Sequence, residues 1–390
     1  MAIVAADHVF MARALQLAAR GLYTTDPNPR VGCVIVRDGV VVGEGFHARA
    51  GEPHAEVHAL RAAGERARAA TVYVTLEPCS HHGRTGPCVD ALLAAQPARV
   101  VVAMQDPNPK VSGSGLAKLR AAGIAVETGL LEAEARALNP GFIARMTRGT
   151  PFVRVKLAMS LDGRTAMADG DSKWITGPEA REDVQRLRAR SSAVLTGAGT
   201  VLADDPALTV RPQDWRHGDY AEHGTLPVRQ PLRVVLDRDL RATPAARLVV
   251  GDGMTSTGPV LVVADEKVLH AHDGQARARA LREQDGVEVI GLPADAGGRI
   301  DLPALLAELG RREVNELLVE AGATLAGAFV AARRVDELVV YAAPVLLGST
   351  ARPLLDLPLA GMAGKIPLTL VEVRQVGGDI RMTARLPAAL

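Results

Sequence analysis

One histidine and two cysteines, far apart in the 390-residue sequence, form a donor set that few folds can bring together. Each sits directly after a proline: Pro53-His54, Pro78-Cys79 and Pro87-Cys88. One His and two Cys give a tetrahedral metal three protein ligands and leave a fourth position for water, whereas structural zinc sites ordinarily take four. Zinc brings the pKa of such a water down to about 7. Glu56, two residues after His54, adds a carboxylate that can carry the proton this water loses to a departing amine. Proline is favoured at the first turn of a helix, so Pro53 and Pro87 read as helix starts. A thiolate at Cys88 would be stabilised there by the positive helix end and by the metal. The apolar run 72–76 reads as a strand that delivers Glu77-Pro78-Cys79.

His54-Ala55-Glu56 followed by Pro78-Cys79 fits the beginning of the H-x-E…P-C-x-x-C pattern of zinc-dependent deaminases. The second cysteine departs from it, because the stretch 80–86 intervenes. That stretch is polar, Gly-punctuated and basic, suited to loop out and meet an anionic substrate. His58 lies one helical turn after His54 and faces the same way; it reads as a packed or solvated histidine, with ligation as the alternative. Cys33, inside Val31-Gly32-Cys33-Val34-Ile35-Val36, reads as a core thiol. A structural zinc site, or two unrelated buried cysteines, is the plainer reading of the same residues, but it gives Glu56 no task.

Aromatic residues make up 3% of the chain and the formal net charge is +1. Stacking platforms and a basic face for nucleic acid are therefore not expected, which weighs against a nucleic-acid base deaminase. Three cysteines make no disulfide framework and fit a reducing, cytoplasmic compartment. Residues 1–20 read as an amphipathic helix, not a signal peptide, and no apolar run is long enough to span a bilayer.

In chain order, the pattern gives helix 7–20, strands 31–37 and 40–45 joined at Asp38-Gly39, and the helix opened by Pro53. Strand 72–76, helix 87–95, strand 100–104, helix 114–122, strand 124–127 and helix 132–139 follow. The Pro- and Gly-containing segment 139–151 reads as a boundary, placing domains at 1–147 and 148–390. The second block restarts with strand 152–160 and helix 178–189. It continues through strands 193–196, 233–237, 259–263, 287–291 and 316–319, with helices 274–284, 303–310 and 322–333 among them. Strands 338–345, 368–373 and 379–386 close it with mixed pairing, and 211–230 reads as a surface loop. Both blocks are α/β. In the second, Gly197-Ala198-Gly199 reads as a tight turn, and Gly322-Ala323-Thr324-Leu325-Ala326-Gly327 as a turn opening a helix. Neither is a true dinucleotide fingerprint. Lys156 within an apolar strand and Glu320 at a strand end are the polar residues that stand out. An edge lysine extending to solvent is the alternative for Lys156.

Together these residues resemble the bifunctional riboflavin-biosynthesis deaminase/reductases. The match rests on Asp26-Pro27-Asn28-Pro29-Arg30-Val31-Gly32, His54-Ala55-Glu56, Glu77-Pro78-Cys79-Ser80-His81, Gly86-Pro87-Cys88 and Asp106-Pro107-Asn108-Pro109. It continues through Lys156-Leu157-Ala158-Met159-Ser160-Leu161-Asp162-Gly163, Ser172 to Gly177, Gly197-Ala198-Gly199-Thr200, Asp204-Asp205-Pro206 and Val319-Glu320-Ala321-Gly322. The resemblance implies a cytidine-deaminase-like domain fused to a dihydrofolate-reductase-like domain. The first would deaminate a diaminopyrimidinone ribose phosphate; the second would reduce its ribosyl group to ribityl with NADPH. It implies one zinc per chain on His54, Cys79 and Cys88, with Glu56 moving the proton. Asn28, His47, His81, Arg84, Asp106 and Asn108 would line the deaminase pocket. Ala158, Trp174, Thr200, Asp204, Arg238 and the turn Gly322, Ala323, Thr324, Leu325, Ala326, Gly327 and Ala328 would contact NADPH. Ser172, Arg188, Leu208, Arg211 and Glu320 would contact the substrate, with Lys156 and Glu320 acting on the sugar. A homo-oligomer is expected, with no nucleic-acid or membrane partner. A non-catalytic zinc-stabilised binding protein is the reading from another class; turnover separates the two.

Overall fold

The structure, a computed structural model, describes residues 3–80, 86–211, 228–251 and 258–387. The described residues fall into two compact units, one ending at Gly149 and the other beginning at Thr150. Among them, no helix is long and apolar enough to cross a membrane.

The first unit is built on a five-stranded sheet. Its strands are β1 (Gly32–Arg37), β2 (Val40–Phe46), β3 (Thr71–Leu76), β4 (Arg99–Met104) and β5 (Ala125–Thr128), in the order β2-β1-β3-β4-β5. β1 pairs antiparallel with β2 and β3, while β3, β4 and β5 run parallel. Asp38 and Gly39 both take positive φ, the conformation that a two-residue hairpin turn matched to strand twist requires. All six residues of β4 are buried, as a parallel strand covered on both faces demands.

The helix α1 (Ala5–Ala19) is tied to this sheet by Asp7, which accepts from Arg99 at 2.7 and 3.0 Å and from the Tyr73 hydroxyl at 2.6 Å. The hydrogen bonds from Arg99 hold the Asp7 carboxyl well below its ordinary range. The helix α2 (Ala55–Ala63) lies directly on β2. A Cβ on Gly43 would fall 2.3 Å from the Ala59 carbonyl oxygen, and one on Gly45 2.5 Å from that of Ala55. Residues two apart share a face of the strand, so these two glycines let the helix backbone come down onto the sheet.

The helices α3 (Cys88–Ala95), α4 (Ser114–Ala121), α5 (Glu132–Leu138) and α6 (Pro140–Arg148) complete the unit. The segment expected as a boundary therefore holds α6. Pro140 opens it, as its fixed φ favours, and the Asn139 side chain bonds both the N–H and the carbonyl of Arg30 at 2.8 and 3.0 Å.

The second unit carries a nine-stranded sheet in the order β11-β10-β9-β8-β12-β6-β13-β16-β15. The strands are β6 (Phe152–Ser160), β8 (Ala193–Gly197), β9 (Leu232–Leu236), β10 (Val260–Asp265), β11 (Val287–Leu292), β12 (Glu316–Glu320), β13 (Glu337–Ala343), β15 (Thr369–Val376) and β16 (Asp379–Arg385). Pairing is parallel from β11 to β13 and antiparallel from there to β15. A short ladder joins β7 (Arg164–Ala166) to β14 (Arg352–Pro353). The helix α7 (Pro178–Arg190) links β7 to β8. A second departure from expectation follows β8: Gly197 precedes the short helix α8 (Ala198–Asp204), not a bare turn. From β8 the chain moves outward to β9, and from β12 it moves the other way, past β6 to β13. A reversal of this kind opens a crevice at the carboxyl ends of the strands. Most of the segment expected as a surface loop lies outside the described residues.

Candidate functional site

In the first unit, His54 is the residue that caps α2, Cys79 follows β3, and Cys88 is the first residue of α3. Pro53 and Pro87 thus precede the helices instead of starting them. The donor atoms of His54, Cys79 and Cys88 all lie within 4.8 Å of one another. His54 Nδ1 is 3.2 Å from Cys88 Sγ and 3.6 Å from Cys79 Sγ. Zinc–ligand bonds of about 2.0–2.3 Å in tetrahedral geometry place neighbouring donors about 3.5 Å apart, so the three residues fit that ion. The Cys88 N–H also donates to Cys79 Sγ at 3.2 Å. That bond adds to the Cys88 thiol, whose own hydrogen bond is the largest cause holding the Cys79 thiol below its ordinary range. His58 is not part of this cluster; it packs over Gly45, and its Nε2 is buried with no partner among the described residues. Cys33 lies fully buried in β1.

Glu56, in the first turn of α2, is 3% exposed. Burial and then the Cys79 sulfur push its carboxyl up to about 7. His47 contacts the His54 ring edge-on, with centroids 5.0 Å apart. Its Nδ1 lies 3.2 Å from the Pro53 carbonyl and its Nε2 3.0 Å from Asn28 Nδ2. The carbonyl can only accept, so Nδ1 carries the proton and Nε2 accepts from the Asn28 amide. Burial, pushing the His47 pKa down to about 4, keeps that neutral form. Asp106 is also buried; desolvation first, with the Glu77 and Cys79 charges adding to it, pushes its carboxyl up to about 6. Its Oδ1 accepts the Asn108 N–H at 2.8 Å. His81 and Arg84 lie outside the described residues.

The second unit encloses a cavity of about 1440 Å³ at the crevice. Ala158, Ser172, Trp174, Thr200, Asp204, Leu208, Arg211 and Arg238 line it, together with Lys156, Arg188 and Glu320. So do Gly322, Ala323, Thr324, Leu325 and Ala328, but not Ala326 and Gly327. Those two face the core: Ala326 is fully buried, and a Cβ on Gly327 would fall 2.1 Å from the Asp356 carbonyl oxygen. The 3.6-residue period turns the adjacent positions 326 and 327 of the helix Ala323–Ala331 away from the cavity, which a contiguous motif hides.

Lys156 and Glu320 are register partners on neighbouring parallel strands. Arg188 from α7 holds Glu320 at both oxygens, 2.6 and 2.9 Å. Burial alone would raise the Glu320 pKa, but Arg188 and Lys156 outweigh it and the carboxylate stays charged. Burial lowers the Lys156 pKa against the pull of Glu320. Its Nζ sits 5.9 Å from the Tyr341 ring centre. Arg238 spends its donors on Asp239 and on the Gly298 carbonyl. Trp174 is 71% exposed on the cavity rim, with the Arg181 guanidinium 4.7 Å from its ring centre. The sequence singled out neither Arg181 nor Tyr341; α7 periodicity and strand register are the signals that reach them. Gly199 and Gly322 leave open space where a Cβ would stand, at the starts of two helices.

Comparisons with known proteins cover both units. Residues 4–104 match the cytidine and deoxycytidylate deaminase zinc-binding region, and residues 151–382 match the RibD C-terminal domain. The riboflavin biosynthesis protein RibD of Escherichia coli is 53% identical over 378 residues, covering 96% of this chain and 98% of that one. Among solved structures, Acinetobacter baumannii RibD superposes with a TM-score of 0.86 at 45% identity, covering 98% of this chain and 99% of its own. A diaminohydroxyphosphoribosylaminopyrimidine deaminase/5-amino-6-(5-phosphoribosylamino)uracil reductase from Thermotoga maritima gives 0.81 at 33% identity, with the same coverage.

Proposed function

The chain belongs to the RibD family, the bifunctional deaminase/reductases of riboflavin biosynthesis, and from that premise we propose how its residues divide the work. It deaminates and reduces the pyrimidine intermediate of that pathway. We assign deamination of a diaminopyrimidinone ribose phosphate to a domain spanning 1–147. Reduction of its ribosyl group to ribityl falls to 148–390.

The His54, Cys79 and Cys88 cluster, with Glu56 buried beside it, is the observation that carries the first assignment. When bound there, zinc supplies an activated water at neutral pH. Glu56, its carboxyl raised by burial, would carry one proton to the ring nitrogen and a second to the amino group, which then leaves as ammonia. Asn28, His47, Asp106 and Asn108 are assigned to the substrate, together with His81 and Arg84.

In the second site NADPH, when bound, supplies the hydride. Ala158, Trp174, Thr200, Asp204, Gly322, Ala323, Thr324, Leu325 and Ala328 hold it, with Arg238 at the margin. Ser172, Leu208, Arg211 and Arg188 hold the substrate. The Arg188 clamp keeps Glu320 ionised, so Glu320 steers the sugar and does not give up a proton. Lys156, made more acidic by burial, provides the proton that balances the hydride. The location is cytoplasmic. The chain associates with itself, which the exposed Leu370, Val371 and Val373 on the edge strand β15 support.

The test is chelation followed by metal return. Zinc-free protein should release no ammonia from the diaminopyrimidinone ribotide, and one zinc per chain should restore release. Undiminished ammonia release from zinc-free protein would overturn the assignment.

A further inference from the structure

Glu77 immediately precedes the metal-binding Pro78-Cys79 and is 3% exposed. Its carboxylate collects four backbone N–H groups. Oε1 accepts from Gly115 at 3.0 Å and Leu116 at 3.4 Å; Oε2 accepts from Gly113 at 2.9 Å and Asp106 at 3.2 Å. Gly113, Gly115 and Leu116 sit at the start of α4, where the helix dipole favours an anion. Approach there is close. A Cβ on Gly115 would fall 2.3 Å from the Pro78 carbonyl oxygen and 3.2 Å from Glu77 Oε1. Ser80 Oγ meets Ser114 Oγ at 2.5 Å, and Lys118 Nζ donates to the Ser80 carbonyl at 3.0 Å. The metal-ligand arm and the segment 106–116 are thus laced together around one buried charge.

We propose that Glu77 is a positioning residue for deamination: an internal anion that fixes the pocket wall bearing Asp106 and Asn108 to the strand end bearing Cys79. It touches no reacting atom. A carboxylate is required because four donors converge on it; a glutamine would turn its own N–H groups toward two of them. The proposal rests on the reading of Asp106 and Asn108 as substrate contacts.

The test uses the full chain, with Glu77→Gln and Glu77→Asp made alone and together with Asn108→Ala. Zinc per chain and the kcat and KM for deamination of the diaminopyrimidinone ribotide are measured. Glu77→Gln should keep one zinc and lose about ten- to hundredfold in kcat/KM, mainly through KM. Glu77→Asp, retaining the charge, should recover part of that loss. In the Asn108→Ala background Glu77→Gln should cost little more, because the two act through one wall. Unchanged kinetics, fully additive losses, or loss of zinc in both Glu77 variants would overturn the proposal. A silent Asn108→Ala would instead overturn the reading of the wall, and the proposal with it.

Discussion

Burial and the Cys79 sulfur push the Glu56 carboxyl up to about 7, where it can both take and give a proton at neutral pH. Glu56→Gln keeps the shape and removes that capacity. Deamination should fall about a hundred- to ten-thousandfold while zinc content stays the same; a variant within a few-fold of the parent would remove Glu56 from the proton path. Asp106 offers a stability test. Its folded pKa lies above the ordinary 3.8, at about 6. The fold therefore favours the neutral acid, and that contribution is lost as pH rises through 6. Asp106→Asn retains an acceptor for the Asn108 N–H without the buried charge. In metal-free protein the variant should be the more stable at pH 8, by at most about 3 kcal/mol. The gap in urea midpoint should narrow toward pH 5, and equal midpoints at pH 8 would contradict it. The metal ligands were legible in the sequence because His54-Ala55-Glu56 and Pro78-Cys79 fit the H-x-E…P-C pattern, with Pro87-Cys88 following at a helix start. Glu77 was not. Its task depends on amides that converge only when 106–116 folds back on β3.

Close approach of α2 to β2 sets the height of His54 and Glu56 above the sheet. Gly45→Ala puts a methyl 2.5 Å from the Ala55 carbonyl and 2.7 Å from the Ala59 N–H nitrogen. The helix must shift, at a cost of about 1–3 kcal/mol. Zinc affinity and deamination should both fall, while reduction of the deaminated substrate continues; zinc titration with a competing chelator reads the first. An unchanged affinity would mean the site tolerates displacement of α2. Strands and long helices were legible from alternation and from runs of Val, Ile and Leu. The two departures, α6 and α8, share a cause. Both begin at residues that punctuate sequence, Asn139-Pro140 and Gly197-Ala198-Gly199, and tertiary contacts outweigh the weak helix propensity of glycine. Asn139 ties α6 to Arg30, while Ala198 and Val201 bury the inner side of α8.

Two units with separate sites make a chain whose reactions can be removed one at a time. Lys156→Ala should abolish NADPH-dependent reduction and leave deamination intact, so that the deaminated intermediate accumulates; normal reduction by that variant would take the proton transfer away from Lys156. The fused order of motifs carried the family resemblance across the chain, and with it the fold of both units. Which residues of the 322–328 turn face the cavity depended on the helix, not on the motif. Mass spectrometry of the diaminopyrimidinone ribotide, incubated with zinc-loaded protein with and without NADPH, tests the whole account. Without NADPH the substrate should gain about one mass unit, amine replaced by oxygen. With NADPH it should gain about two more, hydride plus proton. A substrate unchanged under both conditions, or a gain of two without the gain of one, would contradict it.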